Sequence, residues 1–341
     1  ASATCLPGHL ATAAPSGYYI PGEEHPHHCT FMQWPNSRNV YNDRHFLNQT
    51  QLIIVDIANM ISQFEQVILL ADAKHHPKIK PLISDAVTLW DIPTEDLWAR
   101  DAGPLFQVNA AGEQRVASMN FNGWGGKQVH RHDGQVAARV AQRLGLDFID
   151  TGLVGEPGGV EYDGANTLVA HESSWINPNR NIGTKQEITN LLRRTYQADT
   201  VIWAPGVAGH DITDYHIDSL MRFTGPNRGL IQLPDAPTER WSRAMYETYD
   251  AVQSAGLDIE VIPEPRTPRI TSPDFVASYA NYYVCNDAVI CAEFGDEETD
   301  AIAIDALARH YPGREVIAMN VDPLGELGGG IHCATQQRPA L

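Results

Sequence analysis

Residues 220–233 read Leu220-Met221-Arg222-Phe223-Thr224-Gly225-Pro226-Asn227-Arg228-Gly229-Leu230-Ile231-Gln232-Leu233. Two apolar runs flank a Gly-Pro-Asn turn, the pattern of a β-hairpin. A helical pattern over 238–255 and a strand-like run at 258–262 follow. This order of hairpin, helix and strand decides the fold class, because a doubly wound parallel sheet would alternate single strands with helices and make hairpins rare.

The same order recurs on both sides. Residues 104–121 run through Leu105, Gln107 and Val108, turn at Asn109-Ala110-Ala111-Gly112 and return through Val116 to Phe121. A helix from about Gly134 to Leu144 and the strand Phe148-Ile149 complete that copy. The next has a hairpin over 160–177, a helix opened by the capping-box pattern Thr184-Lys185-Gln186-Glu187, and the strand Thr200-Val201-Ile202-Trp203. A further copy runs Asn281–Val284, Ala288–Ala292, helix 297–310 and strand 315–319. The fifth is split between the chain ends: the tail after Cys333 joins strand Thr30–Gln33, helix 43–64 and strand Gln66–Leu70. The reading predicts an α/β chain of five hairpin-helix-strand units in a ring, with no long exposed sheet edge and with the split unit fastening the termini together. Residues 31–341 are expected to form one domain, and 1–30 an extension.

The corners before the hairpins hold the reactive side chains. Asp101 lies in Trp98-Ala99-Arg100-Asp101-Ala102-Gly103-Pro104, Asp163 in the segment from Glu156 to Gly164, His216 and Asp218 in Thr213-Asp214-Tyr215-His216-Ile217-Asp218, and Asn281 in Ser278-Tyr279-Ala280-Asn281. Cys333 sits in Gly328-Gly329-Gly330-Ile331-His332-Cys333. Asp101, Asp163, Asp218, Asn281 and Cys333 follow one another at steps of 52 to 63 residues. In a closed ring such a step brings the corners to one axis. Cys333 is the expected nucleophile, since glycines around it let a flat carbon reach the sulfur. His216 and Asp218, two apart at a strand start, are expected to face one ligand.

Paired carboxylates match a planar guanidinium, each accepting parallel N–H bonds. The central carbon of a cation held that way faces the thiol. A cysteine protease would need donors for an oxyanion, which nearby carboxylates oppose.

The chain of 341 residues carries 42 acidic against 24 basic side chains, a formal charge of −18. That balance argues against nucleic acid or an anionic membrane as partner and favours cationic ligands. No apolar run approaches the ~20 residues that span a bilayer. Three features suggest export: a start at Ala1-Ser2-Ala3, the sequon Asn48-Gln49-Thr50, and Cys5 with Cys29 spaced to close a loop worth about 3 kcal/mol. Cys285 and Cys291 read as core thiols. The pieces His25-Pro26-His27-His28, His75-His76 and His130-Arg131-His132 lack partner ligands at metal spacing and read as loops.

Trp98-Ala-Arg-Asp101-Ala-Gly-Pro, Phe121-Asn-Gly-Trp124-Gly-Gly, Asn177-Pro-Asn-Arg180-Asn, His216-Ile-Asp218, Ser278-Tyr-Ala-Asn281-Tyr-Tyr and Gly330-Ile-His-Cys333-Ala-Thr-Gln-Gln together resemble the agmatine deiminase and bacterial-type peptidylarginine deiminase family of guanidino-modifying enzymes, from about Trp34 to the end. The resemblance implies a five-bladed α/β propeller (pentein) of pseudo-fivefold ββαβ modules and no metal or other cofactor. It makes Cys333 the nucleophile, His216 the general acid and base, Asp101 and Asp218 the guanidinium clamps, Asn281 an orienting residue and Trp98 a wall. Cys333 would attack the guanidinium carbon, ammonia would leave, and water would hydrolyse the thiouronium adduct.

Secreted peptidylarginine deiminases carry arginines after the Phe-Asn pair, whereas this chain has Gly123-Trp124-Gly125 as agmatine deiminases do. That favours agmatine, with Trp124 at the site and Glu156 placed for its distal ammonium. Export favours the alternative, conversion of peptidyl arginine to citrulline outside the cell. An amidinotransferase would use the same cysteine and pass the group to an amine. A binding module with a dead site is the reading outside enzymes. The sequence departs from the family pattern at Pro157, Tyr215 and Gly330.

Overall fold

The computed structural model describes residues 17–341. Its strands form five separate sheets. The hairpin quoted above comprises strands Met221–Gly225 and Arg228–Leu233, paired with Met221 opposite Ile231. After helix Arg240–Ser254, strand Asp258–Pro263 returns parallel to the second hairpin strand, with Gly229 beside Ile259 and Gln232 beside Ile262. The helix is what allows a parallel return, since a tight turn permits only an antiparallel one.

The other sheets repeat this plan. Leu105–Val108, Gln114–Ser118 and Asp147–Asp150 form one, Val160–Tyr162, Thr167–His171 and Thr200–Ala204 the next, and Tyr283–Val284, Ala288–Glu293 and Glu315–Asn320 another. The split unit exists: Gln336–Pro339 pairs antiparallel with His27–Gln33, Phe31 opposite Gln336, and Gln66–Ala71 runs parallel beyond it. Its sheet has a fourth strand, Val87–Asp91, parallel to Gln66–Ala71, which the sequence reading did not include. The strand expected over Asn281–Val284 is only two residues long, because Asn281 and Tyr282 are committed to the loop before it.

Local chemistry explains the helices. Thr184 and Glu187 close the expected capping box on Lys185–Tyr196, a device worth about 1 kcal/mol. Helix Val136–Leu144 buries Val136, Val140 and Ala141 and stops at Gly145, whose left-handed backbone (φ 67°) few other residues adopt. Helix Arg44–Ile61 packs Ile54, Ile57, Ala58 and Ile61 into the same core as Val67, Leu69 and Ala71. Helices also bridge sheets: Arg240–Ser254 touches strand Thr200–Ala204, and Glu297–His310 touches Asp258–Pro263.

Residues 19–29, expected in the extension, are built into this body. Tyr19 bridges Val108, Ile20 is buried, and Cys29 lies fully buried in strand His27–Gln33. The expected pairing of Cys29 with Cys5 lies outside the described residues. Asn48 is exposed on its helix, whereas Thr50 of the same sequon is buried with its hydroxyl on Phe46 O. No helix among the described residues is long and apolar enough to cross a membrane.

One buried cluster is polar and tightly paired. Fully buried Arg222 meets Glu23 at 3.0 Å and Glu161 at 2.8 Å and donates to Tyr282 O. Removing one partner of such a set typically costs 3–5 kcal/mol, because a charge is left uncompensated.

Candidate active site

Each first strand is preceded by a short irregular corner, and four of the five corners share one cavity of about 450 Å³, lined by Trp98, Asp101, His216, Asp218, Ser278 and Cys333 among others. Asp101 projects from the single-turn helix Ala99–Ala102. His216 and Asp218 flank and occupy a 3-10 turn, Ile217–Ser219, rather than the strand start expected from sequence. The turn still presents both side chains to the cavity.

Gly158, in the 3-10 turn Pro157–Gly159, shows how closely the corners converge. A methyl group on its Cα would lie 2.8 Å from Asp101 Oδ1, 2.9 Å from His216 Nδ1 and 3.0 Å from Asp218 Oδ2. Only hydrogen fits at the meeting point of the three groups. Gly158→Ala is expected to lower kcat/KM by roughly a hundredfold, the cost of shifting reacting groups by about an ångström, with little change in thermal midpoint. Activity within threefold of wild type in Gly158→Ala would show that the three side chains need not stay this close.

Trp124 fixes Asp101: its indole N–H donates to Asp101 Oδ2 at 2.9 Å, and Gly158 N–H donates to Oδ1 at 3.3 Å. The Trp124 backbone is left-handed (φ 55°), a conformation that costs about 1–3 kcal/mol where it is not glycine. Trp98 walls the opposite side, stacked so near Gly329 that any side chain there would meet its ring at 2.7 Å.

Cys333 is held by Asn281, whose Oδ1 accepts from Cys333 N–H (3.2 Å) and whose Nδ2 donates toward Sγ (3.0 Å). The thiol donates toward Asp218 Oδ2 at 3.4 Å. That same oxygen accepts from His332 Nδ1 (2.8 Å), and His332 Nε2 reaches Glu23 at 2.9 Å. The other Asp218 oxygen, Oδ1, is buried with no hydrogen-bond donor among the described residues. An orphaned carboxylate oxygen carries a penalty of about 1–3 kcal/mol or more until a donor arrives.

Glu156 and Asp163 are placed elsewhere than expected. Glu156 lies behind His216, with Oε2 at 3.1 Å from Nε2, while Oε1 binds Arg180 at 2.8 Å, and it does not line the cavity. A carboxylate already bonded to an arginine and an imidazole is not free for a distal ammonium. Asp163 ends the strand Val160–Tyr162 and accepts from the backbone N–H groups of Ala165, Asn166 and Thr167. It caps a turn outside the cavity, as aspartates commonly do. The sequence reading did not give roles to Arg180, His332 or Gly158. Arg180 stood in a quoted motif, and its isolated charge in a polar Asn-Pro-Asn context was the available signal. His332 was masked by its neighbour, the more reactive Cys333.

The electrostatics follow from burying this set together. Burial, reinforced by Asp218 and Asp101, pushes the Cys333 thiol well above its ordinary range. Burial also raises Asp101 to about 6, aided by Glu156 and Asp218. Burial alone would lower His216, but Asp101, Glu156 and Asp218 outweigh it and hold the imidazole up to about 9. Asp218 is kept below the usual carboxylate range despite burial, because His332, His216 and Arg222 favour its charged form. Near neutral pH the cavity therefore presents an imidazolium, a thiol and carboxylates.

The histidine-rich pieces are used structurally. His27 Nδ1 bonds Glu65 at 3.1 Å, His76 bonds Ala71 O, and His130 bonds Gln128 O. Among the described residues no group of three or more metal-ligating side chains converges.

A buried thiol facing carboxylates and an imidazolium defines a site for covalent chemistry on a cation. The sequence profile of the Porphyromonas-type peptidyl-arginine deiminase family matches residues 19–339, and the chain belongs to that family. A protein of Selenomonas ruminantium named "Putative agmatine deiminase" is 30% identical over 97% of this chain and 98% of its own length. One of the same name from Vibrio parahaemolyticus is 30% identical over 96% and 99%. The solved agmatine deiminase of Enterococcus faecalis superposes with a TM-score of 0.87 at 23% identity, covering 97% of this chain and 99% of that one, a likeness of fold.

Proposed function

We propose that the protein is an agmatine deiminase, a hydrolase that converts the guanidinium group of agmatine to a ureido group with release of ammonia and N-carbamoylputrescine. The observation that carries this reading is the buried Asp218, one oxygen beside the Cys333 thiol and the other without a donor. A guanidinium N–H satisfies that oxygen, Asp101 grips the cation from the far side, and the central carbon faces sulfur.

The chemistry uses the residues as they stand. Arrival of the cation compensates the negative field that raises Cys333, so the thiol releases its proton to solvent and the thiolate attacks the guanidinium carbon. His216, protonated below about 9, gives its proton to the departing nitrogen, which leaves as ammonia. Water then adds to the thiouronium carbon. Neutral His216 takes one of its protons, the second returns to sulfur as the C–S bond breaks, and the ureido product departs. Glu156 and Asp101 stabilise His216 whenever it carries the proton. Asn281 and Trp98 hold sulfur and substrate plane in register.

The five units are read as blades of one α/β propeller with this cavity on its axis. The contacts that support a ring are between inner strands of neighbouring units, Gln336–Pro339 with Leu105–Val108 and Val160–Tyr162 with Met221–Gly225. Residues 17–341 then form one catalytic domain.

The test is a substrate panel of agmatine, free arginine, internal peptidylarginine and C-terminal peptidylarginine, read by ammonia release. Agmatine is expected to be turned over at least an order of magnitude more efficiently than the others, since a neutral peptide chain forfeits a distal charge worth roughly 1.5–3 kcal/mol. Preference for either peptide would overturn the substrate and leave the deimination chemistry in place, as an exported enzyme acting on proteins would require.

A further inference from the structure

The cavity continues outward from the clamp along a defined wall. Asp218, Ser219 and Leu220 lead to Gln232, whose N–H donates to Leu220 O, and Gln232 lies beside Ile262 in the parallel pair that ends just before Glu264. Glu264 lines the cavity together with Tyr215, Trp241 and His210. The Tyr215 hydroxyl donates to the Trp241 backbone carbonyl at 2.8 Å, and the His210 ring lies stacked over the Trp241 ring and edge-on to Tyr215.

Tyr215 stands at φ 79° beside Asp214 at φ 61°, two successive left-handed residues that are not glycine. Strain of this kind persists only where surrounding structure enforces it, and it concentrates where a side chain must be aimed. Here the strained residue is one that lines the cavity together with Glu264. Among the described residues no lysine, arginine or histidine pairs with the Glu264 carboxylate, whereas Glu156, Glu161 and Asp218 each have such a partner.

We infer that Glu264, framed by Tyr215 and Trp241, is the specificity-determining acceptor for the distal ammonium of a dicationic guanidine. This rests on the agmatine reading and assigns to Glu264 the part that sequence placed on Glu156. An ammonium at this point gains a carboxylate on one side and aromatic faces on the other, an arrangement suited to a partly desolvated cation. Burial raises the Glu264 carboxyl to about 7, with the nearby Asp235 adding and the Gln232 amide opposing, as expected for an acid whose counter-charge arrives with the ligand.

The experiment compares agmatine with butylguanidine, which keeps the guanidinium and the carbon chain but lacks the ammonium. In the wild-type enzyme agmatine is expected to have the higher kcat/KM. In Glu264→Gln the ratio of the two should fall about tenfold or more, carried by KM for agmatine, because a charge-assisted contact is replaced by a neutral one. Glu264→Asp, which keeps the charge, should restore part of the ratio. A ratio in Glu264→Gln within twofold of wild type, or a parallel fall on both substrates, would overturn the assignment while leaving the agmatine reading intact. Wild-type enzyme that ignores agmatine and acts on peptidylarginine would sink that reading and this subsite together.

Discussion

Cys333→Ser is expected to lose turnover by about four orders of magnitude or more, while still binding the guanidine substrate. The serine hydroxyl is a far weaker nucleophile than a thiolate, and among the described residues no base other than Asp218 is within hydrogen-bonding distance of residue 333 to activate it. Losses of this size are typical when a covalent nucleophile is removed, because the remaining groups act as a unit with it. Binding should survive because the proposed grip on the cation is made by Asp101 and Asp218 and not by sulfur. Ammonia release and equilibrium titration on the same variant separate the two properties. Turnover within tenfold of wild type would remove sulfur from the mechanism. Lost binding would mean that the clamp had been disturbed as well.

The second large effect is expected from Asp218→Asn. That side chain serves two partners, the thiol at 3.4 Å and His332 at 2.8 Å, and its orphaned Oδ1 is the acceptor proposed for an incoming N–H donor. An amide keeps the shape, removes the charge, and leaves His332 beside a neutral group. Losing one charged hydrogen bond costs about 1.5–3 kcal/mol, and the disturbed contact with His332, which orients the side chain, adds to it. Since about 1.4 kcal/mol is a decade in rate, kcat/KM should fall roughly a hundredfold or more. Steady-state kinetics and alkylation of Cys333 by iodoacetamide report on both parts. Removing a negative neighbour should lower the thiol's pKa and speed alkylation of the free enzyme near neutral pH. A variant that keeps wild-type kcat/KM would exclude Asp218 from the clamp.

Much of this site was legible before any coordinates. The hairpin around Gly225-Pro226-Asn227 and the capping box at Thr184 carried local signals strong enough to place their elements, and the repeated order then located the split unit joining Gln336–Pro339 to His27–Gln33. Strand Val87–Asp91 escaped because it is a fourth strand outside the repeat, and periodicity gives no warning of an addition at an edge. Asp101, His216, Asp218 and Cys333 stood out as reactive types in polar or glycine-rich corners, and the fold brings them into one cavity.

Asp163 and Glu156 show what spacing leaves undetermined. Both occupy the second corner, but Asp163 spends its carboxylate on four backbone N–H groups, and Glu156 is claimed by Arg180 twenty-four residues later. A one-dimensional reading sees a carboxylate and not the donor that has already engaged it. Glu264 is the converse case. Nothing in its Pro-Glu-Pro surroundings marks it, and its interest appears only when the cavity wall shows a partly buried acid with no counter-charge among the described residues.

The central claim is that carbon is bonded to the sulfur of Cys333 midway through the reaction. Rapid acid quenching of the enzyme during turnover of agmatine, followed by peptide mass spectrometry, tests it directly. The peptide carrying Cys333 should gain the mass of agmatine less ammonia, transiently and only in active enzyme. An unmodified Cys333 peptide throughout active turnover would contradict the account.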